Sequence, residues 1–158
     1  MEISVTRDDT IDVLNDLIET CKNGEAGFRT SAEQVDDVAL AGLLGECAQD
    51  CAAAARELQA CVIELGGKAE DSGSAAGALH RGWVSVKSAV AGRTNLAVME
   101  EVERGEDVAL ASYRKAMRSE LPDAVQSVVS RQFDGVQRNH DRLRDIRNRL
   151  RATEGARG

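Results

Sequence analysis

A single proline and four aromatic side chains (one Trp, one Tyr, two Phe) in 158 residues leave little from which to build a β-sheet or an aromatic core. Cationic residues are outnumbered, 20 Lys and Arg against 27 Asp and Glu, for a net charge of -7. A surface of that sign repels the nucleic-acid phosphate backbone, so nucleic acid is not expected as a partner. No stretch reads as the roughly 20 consecutive apolar residues of a membrane helix. The N-terminal MEISVTRDDT lacks the basic and then apolar pattern of a secretory signal. The expectation is a cytoplasmic protein without a membrane partner. Phosphate loops, dinucleotide fingerprints and a nucleophile beside a base are also absent. With two histidines and no CxxC pair, a zinc site has no support.

What remains is rich in Ala, Leu, Val, Glu and Arg, a composition that favours an all-α chain. Apolar residues recur at three- and four-residue spacing through four long stretches. The first helix is predicted over 6–32, opened by a capping box of Thr6 and Asp9, with Ile11, Leu14, Leu17, Ile18, Cys21 and Phe28 on its apolar face. Gly24 and Gly27 weaken it and imply close approach by a neighbour. A second helix over 37–65 is stopped by Gly66 and Gly67. Cys21, Cys47, Cys51 and Cys61 lie on or near these apolar stripes and read as small buried hydrophobes in a reducing compartment. After the linker KAEDSGS, residues 75–90 form a shorter helix carrying His80, Arg81 and Trp83. The third long helix covers 95–118. Pro122 is placed at the first position of the fourth, over 123–151, and 152–158 is a frayed tail.

The third helix poses the chemical question. Leu96, Met99, Val102, Leu110 and Tyr113 share one face, and Glu103 and Glu106 fall on or beside it. A buried carboxylate must be paired, protonated or bound to a metal. Glu25 sits on the apolar face of the first helix between Cys21 and Phe28. His140 sits on that of the fourth between Val136 and Leu143, with Gln137 one turn earlier. The halves of the chain also look like weak repeats. Gly24-Glu25 aligns with Gly105-Glu106, and Leu58, Cys61 and Leu65 align with Leu143, Ile146 and Leu150.

The arrangement resembles the ferritin-like four-helix bundle, whose di-iron members use one Glu from each of two helices and Glu-x-x-His from each of the other two. LNDLIETCKNGEAGFR, ELGGKAEDSGSAAGALHRGW, ERGED with its following Tyr, and the QRNHDRLR region are similar to a bacterial family of uncharacterised ferritin-like bundles, with relatives linked to stress responses. The resemblance implies a ferritin-like four-helix bundle with a long crossover carrying an extra short helix, and a homo-oligomer. Placed residue by residue, its metal pattern is incomplete. Glu25 and Glu106 stand for the single carboxylates, with Glu103 a competitor. Gln137-x-x-His140 replaces Glu-x-x-His, and Ala52-x-x-Ala55 offers no ligand; Asp50 or Glu57 would have to compensate. Two metal ions on so few donors would be under-coordinated.

The expectation is therefore a non-catalytic bundle with a degenerate metal site, a buried polar core at Glu25, Glu106 and His140, no resident cofactor, and a stress-related structural or binding role. The alternative is an oxidase or iron-handling protein holding iron or manganese on Glu25, Glu106 and His140, with Glu103 and Gln137 as weaker ligands. A second alternative is an acidic interaction module that docks an unknown protein partner at His80, Arg81 and Trp83. The arginines of the last helix alternate with Asp141 and Asp145 and read as a salt-bridged face.

Overall fold

The computed structural model describes residues 6–70 and 94–157. Within them the chain forms four long helices: α1 (Arg7–Gln34), α2 (Val38–Glu64), α3 (Asn95–Met117) and α4 (Asp123–Arg157). The short helix expected over 75–90, with His80, Arg81 and Trp83, lies outside the described residues. The backbone of α4 continues helical to Arg157, past the fraying expected from residue 152.

Each boundary has a local cause. Thr6 caps α1 by accepting from the Asp9 amide, while the Asp9 carboxylate accepts from the Thr6 amide, the reciprocal pair of a capping box. Asp37 and Thr94 cap α2 and α3 through the amides of Leu40 and Ala97. α2 ends in a Schellman motif. The Gly67 amide reaches the Val62 carbonyl and the Gly66 amide the Ile63 carbonyl, with Gly66 at φ +82°, a conformation other residues rarely adopt. Pro122 precedes the first helical residue of α4 instead of occupying that position, and its carbonyl accepts from the Gln126 amide.

Hydrogen bonds between helices fix the topology. Asp36, after α1, exchanges bonds with Asn95 at the start of α3 (3.0 and 2.9 Å). Asn15, near the start of α1, binds Lys68 and Glu70 beyond the end of α2 (3.1 and 2.8 Å). Glu70 and Thr94 therefore lie at opposite ends of the bundle, about 30 Å apart at a helical rise of roughly 1.5 Å per residue. α3 is thus parallel to α2 instead of antiparallel. This is the crossover form of a four-helix bundle.

α1 packs along both α2 and α3, and α3 along α4, whereas α2 and α4 approach at only a few points. The core divides accordingly. One apolar cluster gathers around Leu14, Ile18, Leu58, Val62, Ala116 and Val129. The other gathers around Phe28, Leu44, Val98, Met99, Val102 and Leu143. Between them lies a waist of small and polar residues.

Among the described residues α2 is the one helix that by length and composition alone could cross a membrane. Its hydropathy comes from an alanine run and from a stripe, Leu40, Leu44, Cys47, Ala48, Ala52, Ala55, Leu58 and Val62, that is buried in the bundle.

Leu58→Ala, at a fully buried position, is expected to lower stability by about 2 to 5 kcal/mol in urea denaturation. Ile63→Ala, five residues on and 65% exposed, should stay within about 0.5 kcal/mol of the parent.

Candidate functional site

The waist is held by one chain of hydrogen bonds with a member from every helix. Tyr113 of α3 donates its hydroxyl proton to Gln132 Oε1 of α4 at 2.8 Å. Cys21 Sγ of α1 lies 3.2 Å from the same hydroxyl. With the tyrosine proton committed to Gln132, the thiol is the donor. Gln132 Nε2 donates to Glu57 Oε1 of α2 at 2.8 Å and contacts the Ala54 carbonyl at 3.3 Å. Both of those partners can only accept, which fixes the orientation of the amide. The other Glu57 oxygen pairs with Arg131, whose guanidinium closes the chain at the surface.

Beside this chain a cavity of about 750 Å³ opens between α2 and α4. Small residues from each helix make the space: Gly24, Ala53 and Ala54, Ala109, and Gly135. Gly24 is also a point of close approach between α1 and α2. A Cβ there would lie 3.1 Å from Cys51 Sγ, so the close packing expected from glycine in α1 is realised at this position.

Glu106 lines the cavity and is only 3% exposed. Its Oε1 is buried without a hydrogen-bond partner. Burial, and after it the neighbouring carboxylates of Asp107, Glu103 and Asp141, push its acid up to about 8 from an ordinary 4.5. At neutral pH the side chain is a neutral carboxylic acid.

The remaining residues expected to join Glu106 face elsewhere. Glu25 is half-buried and pairs with Arg29 on its own helix at 2.8 Å. The buried face of α1 runs Cys21, Gly24, Phe28, so Gly24 takes the inward position expected for Glu25. Glu103 pairs with Arg147 of α4. His140 is buried, as the apolar stripe predicts, but its Nε2 lies 2.8 Å from Asp107 Oδ1, one residue beyond Glu106. Its Nδ1 makes no hydrogen bond, the Asp141 carboxylate standing 3.5 Å away. Gln137 donates to Asp141 at 3.0 Å and is the main cause holding that carboxyl below its usual range. With Glu100 bound to Arg151 at 2.9 Å, these contacts form an antiparallel ladder joining α3 to α4.

A di-iron centre does not fit these residues. Ala52 and Ala55 present buried methyl groups where the second Glu-x-x-His would stand. Glu103, His140 and Gln137 are engaged by other side chains. Among the described residues no three His, Cys, Asp or Glu side chains are grouped to hold a metal ion. The cysteines do not compensate. Burial pushes the Cys21 thiol up to about 11, that of Cys47 to about 12, and that of Cys51 well above its ordinary value, so all three stay protonated.

Gln132 and Glu57 are the site residues that the sequence reading did not single out for this role. Gln132 carried the same signal as His140, a polar residue on the apolar stripe of Val125, Val129 and Val136.

The family described as Domain of unknown function (DUF2383) matches residues 9–119. In structure the chain is similar to a mutant of Dps1 from Mycobacterium smegmatis, with a TM-score of 0.75 and 14% identity, over 92% of this chain and 99% of that one. At that identity the likeness carries the fold alone, a ferritin-like four-helix bundle. No curated protein matches the chain in sequence.

The Glu106 acid makes stability depend on pH. Between pH 4.5 and about 8 the native state keeps a proton that the unfolded chain has lost. Stability should therefore fall as pH rises through that window and level off above it, by on the order of 3 to 5 kcal/mol in all. Glu106→Gln, neutral at every pH, should remove this fall. Urea denaturation of both proteins from about pH 5 to 9 makes the comparison.

Proposed function

The chain belongs to the DUF2383 family of ferritin-like bundles, and we propose that in this member the metal centre of the fold has given way to a hydrogen-bonded polar core serving a non-catalytic, structural or binding role. The observation that carries this reading is the chain Cys21, Tyr113, Gln132, Glu57, which crosses the waist about two helical turns along α3 from Glu106 and joins all four helices through protein groups. A metal centre draws its donors inward and leaves them dependent on the ion. Here the carboxylates and the imidazole of α3 and α4 are spent on Arg147, Arg151 and Asp107, and the rigidity that a metal would supply comes from side chains.

The stress-related setting and the homo-oligomeric state expected from the family resemblance belong to this proposal. Sedimentation of the purified protein tests the oligomeric state.

The metal part is tested by elemental analysis, on protein purified without chelator and again after anaerobic incubation with ferrous iron and desalting. The expected result is no stoichiometric iron or manganese in either preparation. His140→Ala should lower stability by about 1 to 3 kcal/mol by emptying a buried position on the α4 stripe and removing the tie to Asp107. One or two metal ions per chain, lost in Glu106→Ala or His140→Ala, would establish the iron-handling or oxidase alternative instead.

A further inference from the structure

The hydrogen-bonded chain leaves one group over. Among the described residues that line the cavity, Glu106 Oε1 is the one buried side-chain oxygen or nitrogen without a protein partner. An orphaned buried oxygen is rare and costly in a folded protein, and a ligand is one of the things that removes the cost. The space beside it is of the right kind. About 750 Å³ falls within the roughly 300 to 1,000 Å³ of small-molecule sites. Its walls are Phe28, Val136 and the alanines, and it reaches solvent between α2 and α4 past exposed Ala53 and Arg138.

We propose that this cavity binds a small organic cation, an ammonium group carried on an apolar body, with the ammonium donating to Glu106 Oε1 and the body lying against Phe28 and Val136. The inference rests on the reading that the waist holds no metal.

The sign of the ligand follows from what surrounds Glu106. Asp107 and Glu103 from α3 and Asp141 from α4 stand around it and, although His140, Arg147 and Arg144 pair with them, their effect at Glu106 is still that of negative charge. α1 presents the thiol of Cys21, and α2 presents those of Cys47 and Cys51. A cation is stabilised by that field, an anion is repelled by it, and an uncharged donor would bond Oε1 without drawing on it. Arg131 does not reverse the balance, because Glu57 engages it. At the mouth Asp50 and Arg138 are of opposite sign, so selectivity is set at the floor.

Two features make the cavity addressable by mutation. Glu106→Gln keeps the shape but replaces an acid that can turn negative opposite an ammonium with an amide that cannot. At Gly135 an added Cβ would meet only the end of the Arg138 side chain, at 3.7 Å. Gly135→Leu can therefore be built without pressing on backbone, and it places an apolar side chain at the mouth while improving helix propensity.

The experiment is isothermal titration calorimetry of the full chain with 2-phenylethylamine, and with 2-phenylethanol as its uncharged counterpart, on protein whose metal content has been measured. The expected result is one amine per chain, bound at least about tenfold more tightly than the alcohol. Both Glu106→Gln and Gly135→Leu should weaken the amine at least about tenfold, with circular dichroism and the thermal midpoint reporting that each variant is folded. Equal binding of alcohol and amine would overturn the charge selection, and unchanged amine affinity in Gly135→Leu would overturn the location. Metal-free protein that binds no amine would overturn this inference and leave the polar-core reading standing, whereas stoichiometric metal would overturn the reading on which it rests.

Discussion

Gln132 is the side chain on which the middle of this bundle depends. α2 and α4 approach each other at few points, and at the waist the amide of Gln132 bridges them. It accepts from Tyr113 with one end and donates to Glu57 with the other, so that α3, α4 and α2 are tied through a single group while Cys21 brings in α1. Buried hydrogen bonds of this kind add modestly to net stability when complete and are expensive when one partner is missing. The chain therefore specifies one arrangement of the four helices more strongly than it stabilises them.

From that constraint follows the division of the core. Apolar side chains fill the bundle on both sides of the waist, and the waist itself is lined by glycine, alanine, thiols and the polar chain. The crossover adds a second consequence. Because α3 runs parallel to α2, the ladder of Glu100, Glu103 and Asp107 meets Arg151, Arg147 and His140 on antiparallel α4, and the acidic face of α3 is neutralised there instead of pointing inward at a metal. Glu106 alone is left facing the cavity, neutral at physiological pH and without a partner for Oε1.

Much of the fold was legible because helical periodicity reports burial directly. Leu14, Leu17, Ile18, Met99, Val102, Tyr113, Val129 and Leu143 all lie inside. The capping box of Thr6 and Asp9 and the glycine stop after α2 are local signals that tertiary packing did not override. The site was less legible, and the reason is angular. Between Cys21 and Phe28, Gly24 and Glu25 are equally consistent with the buried stripe, one on each side of its axis, and only the position of α2 decides that Gly24 faces in. Asp107 is one residue from Glu106, a rotation of about 100° on a helix, and it was Asp107 that α4 presented to His140. Burial of Glu106 and His140 could be read from spacing; the identity of their partners needed the relative rotation of two helices.

The central claim is that Tyr113 and Gln132 act together as a protein-built substitute for a metal at the waist. A double-mutant cycle in urea denaturation, with Tyr113→Phe, Gln132→Met and the two combined, measures that coupling directly. Each single variant strands a buried polar partner and the double variant removes both, so the account predicts a coupling of at least about 1 kcal/mol, with the double variant less destabilised than the sum of the singles. Strict additivity would contradict it, because the two side chains would then contribute independently and the chain through the four helices would not be what holds the waist together.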